Sequence, residues 1–491
     1  MDNSFRFSED AIAEMFGHEA AEDEDRSRLM EYYVKSDVYS TMRSNRRLLI
    51  LVGHKGVGKS ALLNIMEEED KENKIIALKI QPDDVLQIDM TKEVFLRKIS
   101  IWKEGLSNLL VTELLNQSLM FVDEFTTEDS IFRKVIDVSK NIFGKKIEDF
   151  QDKKIGFNSN EFIMLINKLG FTNEKIMIYL DDLDRGWKNS KNDIESLSAM
   201  INAIRDLSRE LKNVHFRISL RSDIYYSVRT SDETTDKIDG SVVWQSWTNH
   251  QILVMLIKRI ETYFSRNVDE SKLLSKSQDE LSSYLIPVFE ERFKGKGHWK
   301  NAPIYRVIMS LIRKRPRDMI KLCTLAARSS IINDHLKIMT FDLESNFRNY
   351  SNDRLMDTST EYQAEFSNVR DLLLKMKPSR NELKKDNPSL FTREELIKKI
   401  ENILSMSSYY FSNGDEVNPE RVAAFLYKIN FITARKSLSN GEIQRVYYDE
   451  NQYIYNSFTD FGYSYEIHPA YRWALQPDSI DNLFNQIELI D

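Results

Sequence analysis

Residues 53–60 read Gly53-His54-Lys55-Gly56-Val57-Gly58-Lys59-Ser60 and match the pattern G-x-x-x-x-G-K-[ST]. The apolar run Leu48-Leu49-Ile50-Leu51-Val52 stands before them and Ala61-Leu62-Leu63-Asn64-Ile65-Met66 after them, so the octapeptide joins a buried strand to a helix without a breaker. Glycines there let backbone N–H groups converge on an anion with no side chain in the way, and the helix aims its positive end at the same place. The expected phosphate cradle runs from Gly53 to Ala61. Lys59 reaches the β- and γ-phosphates of a nucleoside triphosphate, and the Ser60 hydroxyl is a ligand for Mg²⁺. Three of the chain's 15 glycines fall in this octet, more than an ordinary glycine turn requires.

If the first motif binds a triphosphate, the metal needs an acid on a neighbouring strand. Residues 176–182, Ile-Met-Ile-Tyr-Leu-Asp-Asp, supply one: an apolar run suited to a central parallel strand that ends in two carboxylates. Asp181 is expected to hold Mg²⁺ and Asp182 to orient and deprotonate the attacking water, with Asp184 a rival for the base. A further strand, 214–220, closes on Arg221-Ser222-Asp223. A guanidinium at that end can neutralise charge on the transferred phosphoryl group; the alternative for Arg221 is an ion pair with Asp223. Residues 75–80 read as another strand. Asn167-Lys168-Leu169-Gly170 lacks the acid of a guanine-reading N-K-x-D element, and Leu183 stands where a D-x-x-G switch needs aspartate, so ATP is favoured over GTP.

The 491 residues are enough for about three domains. Only 15 Gly and 9 Pro favour a helix-rich globular chain over a disordered or collagenous one. No apolar run approaches the roughly 20 residues of a membrane helix, and no basic-then-apolar leader is visible, so the expected location is cytoplasmic with no membrane partner. The single Cys323 lies in an apolar helical stretch and reads as a buried, inert thiol; it and the seven histidines offer no zinc spacing. Of the net charge of −8, residues 1–30 carry −6, with nine acids against three bases. Proteins that coat duplex DNA usually show a basic excess, so any nucleic-acid contact here is expected to be local or conditional.

Helical patterns at 93–115, 131–143 and 161–169 read as an insertion, and those at 249–266 and 303–330 as a lid. Within the lid, Arg313-Lys314-Arg315-Pro316-Arg317-Asp318 places proline in the first turn of a helix, where Arg315 or Arg317 could face the phosphates or simply decorate a basic helix start. Residues 341–384 look like a polar, partly flexible connector with a helix, including the weakly hydrophobic 349–360. Helices at 392–404 and 419–430 precede aromatic strands at 444–448, 453–455 and 463–467, which suggests a winged-helix-like module. The expected fold is α/β: a parallel-sheet P-loop NTPase core, a helical lid and a C-terminal winged-helix-like α+β module. The segments are 1–45 flanking the nucleotide, 46–245 as core with its insertion at about 91–170, 246–340 as lid, and 341–491.

The phrases Phe16-Gly17-His18-Glu19-Ala20-Ala21-Glu22 and Asp181-Asp182-Leu183-Asp184-Arg185-Gly186-Trp187 resemble a bacterial P-loop ATPase family akin to the KAP and STAND nucleotide-dependent switches, which share the additional-strand core of AAA+ proteins. Leu220-Arg221-Ser222-Asp223-Ile224, Trp244-xx-Trp247, Lys258-Arg259-Ile260, Arg315-Pro316-Arg317-Asp318 and Ile467-His468-Pro469 add to the resemblance. It implies that Phe16 and Gly17 flank the adenine; of the two lid arginines, Arg317 is the one expected to bind the nucleotide. It also implies an ATP-hydrolysing switch that forms homo-oligomers and controls a separate protein effector, similar to defence ATPases acting against phage. The alternative is a nucleic-acid-binding or DNA-remodelling ATPase that grips a strand with the C-terminal module.

Overall fold

The apolar run before the glycine loop forms β1 (Leu48–Gly53), buried at all six positions. It lies in a five-stranded parallel sheet with β2 (Ile76–Ile80), β3 (Ile176–Leu180), β4 (Val214–Arg221) and β5 (Val242–Trp244), in the order β2-β3-β4-β1-β5. Near-continuous apolar strands are what a sheet covered on both faces demands. β4 sits between β1 and β3, which makes this the P-loop NTPase core with an additional strand between its two motif strands. The computed structural model describes residues 5–19, 23–81, 94–122, 131–144, 157–169, 175–183, 185, 187, 189–231, 237–437, 443–451, 454, 462–477 and 480–489. The chain divides into two compact units: Lys35–His54 with Lys59–Gln245, and Met1–Val34 with Lys55–Gly58 and Ser246–Asp491.

In the sheet-bearing unit, helix Lys59–Glu72 follows the loop, and helices Phe95–Val122, Ile131–Phe143 and Ser159–Leu169 precede β3. The first of these three runs past the expected end at 115. Leu106, Leu110 and Leu114, one turn apart, join Ile178, Leu180, Phe216 and Ile218 of the strands in one core, with Ile204 and Leu207 of helix Lys191–Glu210. Fully burying each such side chain contributes about 1.5–3 kcal/mol. Ser190 and Asp193 form a reciprocal capping box that fixes where helix Lys191–Glu210 begins.

The other unit is mostly helical in its first half. Helix Asn249–Tyr263 starts at a Thr248–Gln251 capping box, and helix Pro316–Ile332 carries Pro316 in its first turn as the sequence predicts. Cys323 is buried within that helix, and burial pushes its thiol up. Two short strands, β6 (Arg292–Phe293) and β7 (Ala302–Pro303), pair antiparallel. Residues 349–360 need correction: they lie in the helix Phe347–Tyr362, with Tyr350, Ser351, Arg354, Leu355 and Thr358 buried. They look like a connector because their inward face is polar. Arg354 donates to Asp318 at 2.6 Å, and the Thr358 hydroxyl accepts from Arg313 at 2.8 Å.

At the C-terminal end, β8 (Leu390–Phe391), β9 (Ile432–Ser437), β10 (Ile443–Val446) and β11 (Ser464–Ile467) form an antiparallel sheet in the order β10-β9-β11-β8. With helices Arg393–Leu404, Pro419–Lys428 and Pro469–Leu475 it makes an α+β module of winged-helix-like composition. Sequence patterning misses β9 because Thr433 and Arg435 are polar yet buried, which erases the alternation. Tyr453 and Tyr455, read as part of a strand, lie outside the described residues. No helix among the described residues is long and apolar enough to cross a membrane.

Candidate functional site

Strand register brings the two motifs to one edge of the sheet. Gly53 of β1 pairs with Arg221 of β4, and Leu180 of β3 pairs with Ile218. Asp181, one residue past β3, is therefore level with Ser219, two residues before Arg221. The Ser219 hydroxyl donates to Asp181 Oδ1 and accepts the Asp182 backbone N–H at 3.4 Å, so one buried hydroxyl orients both acids. Asp181 is 5% exposed, whereas Asp182 is exposed and its backbone is left-handed, with φ of 54°. Asp184 lies outside the described residues.

At the end of β4 the Arg221 guanidinium forks onto Asp223 at 2.7 and 3.2 Å, the ion pair weighed as its alternative. His54, buried, meets the Ser222 hydroxyl through Nδ1 at 3.2 Å, which ties the loop's first residues to the start of helix Ser222–Ser231. Lys59 Nζ donates to the carbonyls of Gly53 at 2.9 Å and His54 at 3.1 Å. Ser60 and Ala61 follow it in the first turn of helix Lys59–Glu72.

The loop tip, Lys55–Gly58, belongs to the other unit. Gly56 and Gly58 have φ of 81° and 90°, a region that L side chains rarely adopt. A Cβ on Gly56 would also lie 3.1 Å from the Arg317 Cβ, while one on Gly58 would meet nothing within 4 Å. Arg317 donates its backbone N–H to the Gly56 carbonyl at 3.4 Å and its Nε to the Glu19 carbonyl at 3.0 Å. Arg315, 2% exposed, donates Nη1 to the Lys55 carbonyl at 3.2 Å. The Trp247 indole donates to the Val57 carbonyl at 2.7 Å.

Phe16 is fully buried, with ring neighbours Phe7 and Phe289. Its carbonyl accepts from Arg259, whose guanidinium lies 3.8 Å from the Tyr32 ring centroid, and the next backbone N–H but one, that of His18, donates to Glu24 at 2.7 Å. The Phe16–Gly17 turn is thus pinned by a buried Glu24 and a buried Arg259.

Each unit, taken by itself, presents groups whose chemistry suits part of a triphosphate and its metal. The N–H groups of Gly56, Val57 and Gly58 meet no acceptor among the described residues, and the glycine conformations curve the chain into a nest for an anion. A hydroxyl at Ser60 and a carboxylate at Asp181 are hard oxygen donors of the kind Mg²⁺ takes, with phosphate oxygens and water completing its shell. Sequence reasoning missed Ser219, one of the polar residues that alternate with apolar ones along 214–221, and the loop contact of Trp247, which no local pattern reveals.

Residues 250–359 match the family described as the FunZ-associated C-terminal helical domain. The chain is similar to the putative transposon gamma-delta 80.3 kDa protein of Escherichia coli (strain K12), at 24% identity over 385 residues, 72% of this chain and 52% of that protein. It thus spans about half the length of the curated relative it matches. Among solved structures it is similar to Cdc6p from Pyrobaculum aerophilum (TM-score 0.31, 12% identity, covering 98% of this chain and 99% of that one). It is also similar to the Aeropyrum pernix ORC2 protein (TM-score 0.35, 10% identity, 94% and 93%) and to the Thermotoga maritima RuvB Holliday junction branch migration motor (TM-score 0.29, 10% identity, 67% and 76%).

Proposed function

We propose that this chain binds ATP with Mg²⁺ at residues 53–61, hydrolyses it, and uses nucleotide state as a switch over its own assembly or over a separate protein effector. The observation that carries the nucleotide reading is the alignment of Gly53, Arg221 and the Asp181–Asp182 pair along one sheet edge, with β4 between the two motif strands. In this reading Lys59 exchanges its carbonyl contacts for phosphate oxygens. Ser60 and Asp181 hold the metal, which neutralises charge on the phosphates when bound. Asp182 takes a proton from the attacking water, with Asp184 as rival, and Arg221 stabilises charge on the phosphoryl group once released from Asp223. Arg317, and the Phe16–Gly17 turn for the adenine, are further contacts that the sequence adds to this proposal.

The test is an ATPase assay on the purified chain and its Lys59→Ala variant. Mg²⁺-dependent phosphate release that the substitution abolishes supports the reading; equal rates in both overturn it. A second reading, an ATPase that works on nucleic acid, is favoured by the winged-helix-like composition of residues 390–475 and by the transposon name of the E. coli relative. Turnover stimulated by DNA supports this second reading, whereas ATP-dependent assembly indifferent to DNA supports the switch.

A further inference from the structure

Three consecutive carbonyls of the glycine loop are held by residues distant in sequence: Lys55 by Arg315, Gly56 by the Arg317 N–H, and Val57 by Trp247. All belong to the same unit. In a trans peptide the C=O of one residue and the N–H of the next point in opposite directions. Tethering the carbonyls of residues 55, 56 and 57 therefore turns the N–H groups of Gly56, Val57 and Gly58 to the opposite side, and these are the groups that meet no acceptor among the described residues. Trp247 makes the shortest of the three bonds, 2.7 Å against 3.2 and 3.4 Å. Its indole has one donor and no acceptor, so the whole hydrogen-bonding capacity of a side chain only 3% exposed is spent on the loop.

We propose that Trp247 is a positioning residue for nucleotide binding: its N–H sets the Val57–Gly58 peptide so that the Gly58 N–H faces the phosphates. The proposal rests on the nucleotide reading above and adds a residue that touches neither phosphate nor metal. Trp299 provides a matched control within the same unit. It too is a buried indole donating to a backbone carbonyl, that of Ile487 at 2.8 Å.

The experiment measures the Kd of Mg–ADP by calorimetry on the full chain, well below each variant's melting temperature so that lost global stability does not enter. Trp247→Phe removes the donor and keeps a ring; it should weaken binding about three- to tenfold, the range of one net hydrogen bond. Trp299→Phe should leave the Kd at the wild-type value. Arg315→Lys keeps the charge but loses the Nη1 donor; it should weaken binding in the same direction and carries the test alone if Trp247→Phe fails to fold. Wild-type affinity in both loop variants, or equal weakening by Trp299→Phe, overturns the proposal and leaves the nucleotide reading standing. A wild-type chain that binds no Mg–ADP removes both.

Discussion

Asp182 is held in a left-handed conformation that Asn adopts as readily as Asp. Asp182→Asn therefore removes the charge without a backbone penalty. Nucleotide affinity should persist while single-turnover hydrolysis slows about 10²–10⁴-fold, the usual contribution of a general base; full activity would hand the role to Asp184. Lys59→Ala tests the cradle. At about 100 Kd of Mg–ATP a binding-competent chain gains about 2.7 kcal/mol, and thermal shift assays should show that gain in the wild type and its loss in the variant. Ser219→Ala strips Asp181 of a buried donor and should raise the Mg²⁺ concentration needed for half-maximal turnover. These residues were legible at different depths: Gly53 to Ser60 and Asp181–Asp182 stand in local patterns tied to phosphate chemistry, whereas Ser219 acquires its use only from the register between β3 and β4.

The start of helix Pro316–Ile332 shows how an element can be placed from sequence while its role is not. Arg313 grips Asp318 at 2.7 and 2.9 Å, Arg354 reaches it at 2.6 Å, and the Tyr471 hydroxyl accepts from Arg313 at 2.7 Å. Burial by itself would raise the Asp318 carboxyl, but the two guanidiniums overcome it and hold the group well below the carboxylate range. Glu466, buried between Arg445 and Arg472, is likewise held low against the effect of burial. Because folding lowers both pKa values, the stabilisation is complete above the ordinary 3.8 and 4.5 and is lost as the pH falls below them. Urea titrations should show unfolding midpoints that are flat near neutrality and decline below about pH 4.5. Asp318→Asn should cost about 3–5 kcal/mol, since it leaves two buried guanidiniums under-compensated; a loss below about 1 kcal/mol would mean that water already screens the cluster.

At the scale of the whole chain, the acid excess lies in the first 30 residues and the rest is nearly neutral. A nucleic-acid-binding role must then rest on a local surface and a small number of phosphate contacts. If DNA stimulates turnover, the effect should weaken with salt at a logarithmic slope of only a few, rather than the approximately −10 of a repressor that makes many such contacts. Rates measured from 50 to 200 mM salt decide this, and a steep slope would reveal a basic surface that composition hides.

The sequence by itself determined the α/β core, the glycine loop and the acid pair that ends β3, and most helix starts, because these follow from short-range physics: apolar runs, glycine conformations, proline at a first turn and capping residues. It misread residues 349–360 and passed over β9, since hydropathy counts a buried Arg354, Thr433 or Arg435 as exposed. The partners of those residues, Asp318, Glu466 and Glu488, lie 33 to 53 positions away and become neighbours only when the chain folds. The same holds for the loop. Its glycines were plain in the sequence, but the indole 190 positions on that holds the Val57 carbonyl was decided by tertiary structure alone, because only folding brings a donor to a buried carbonyl that has left its water behind.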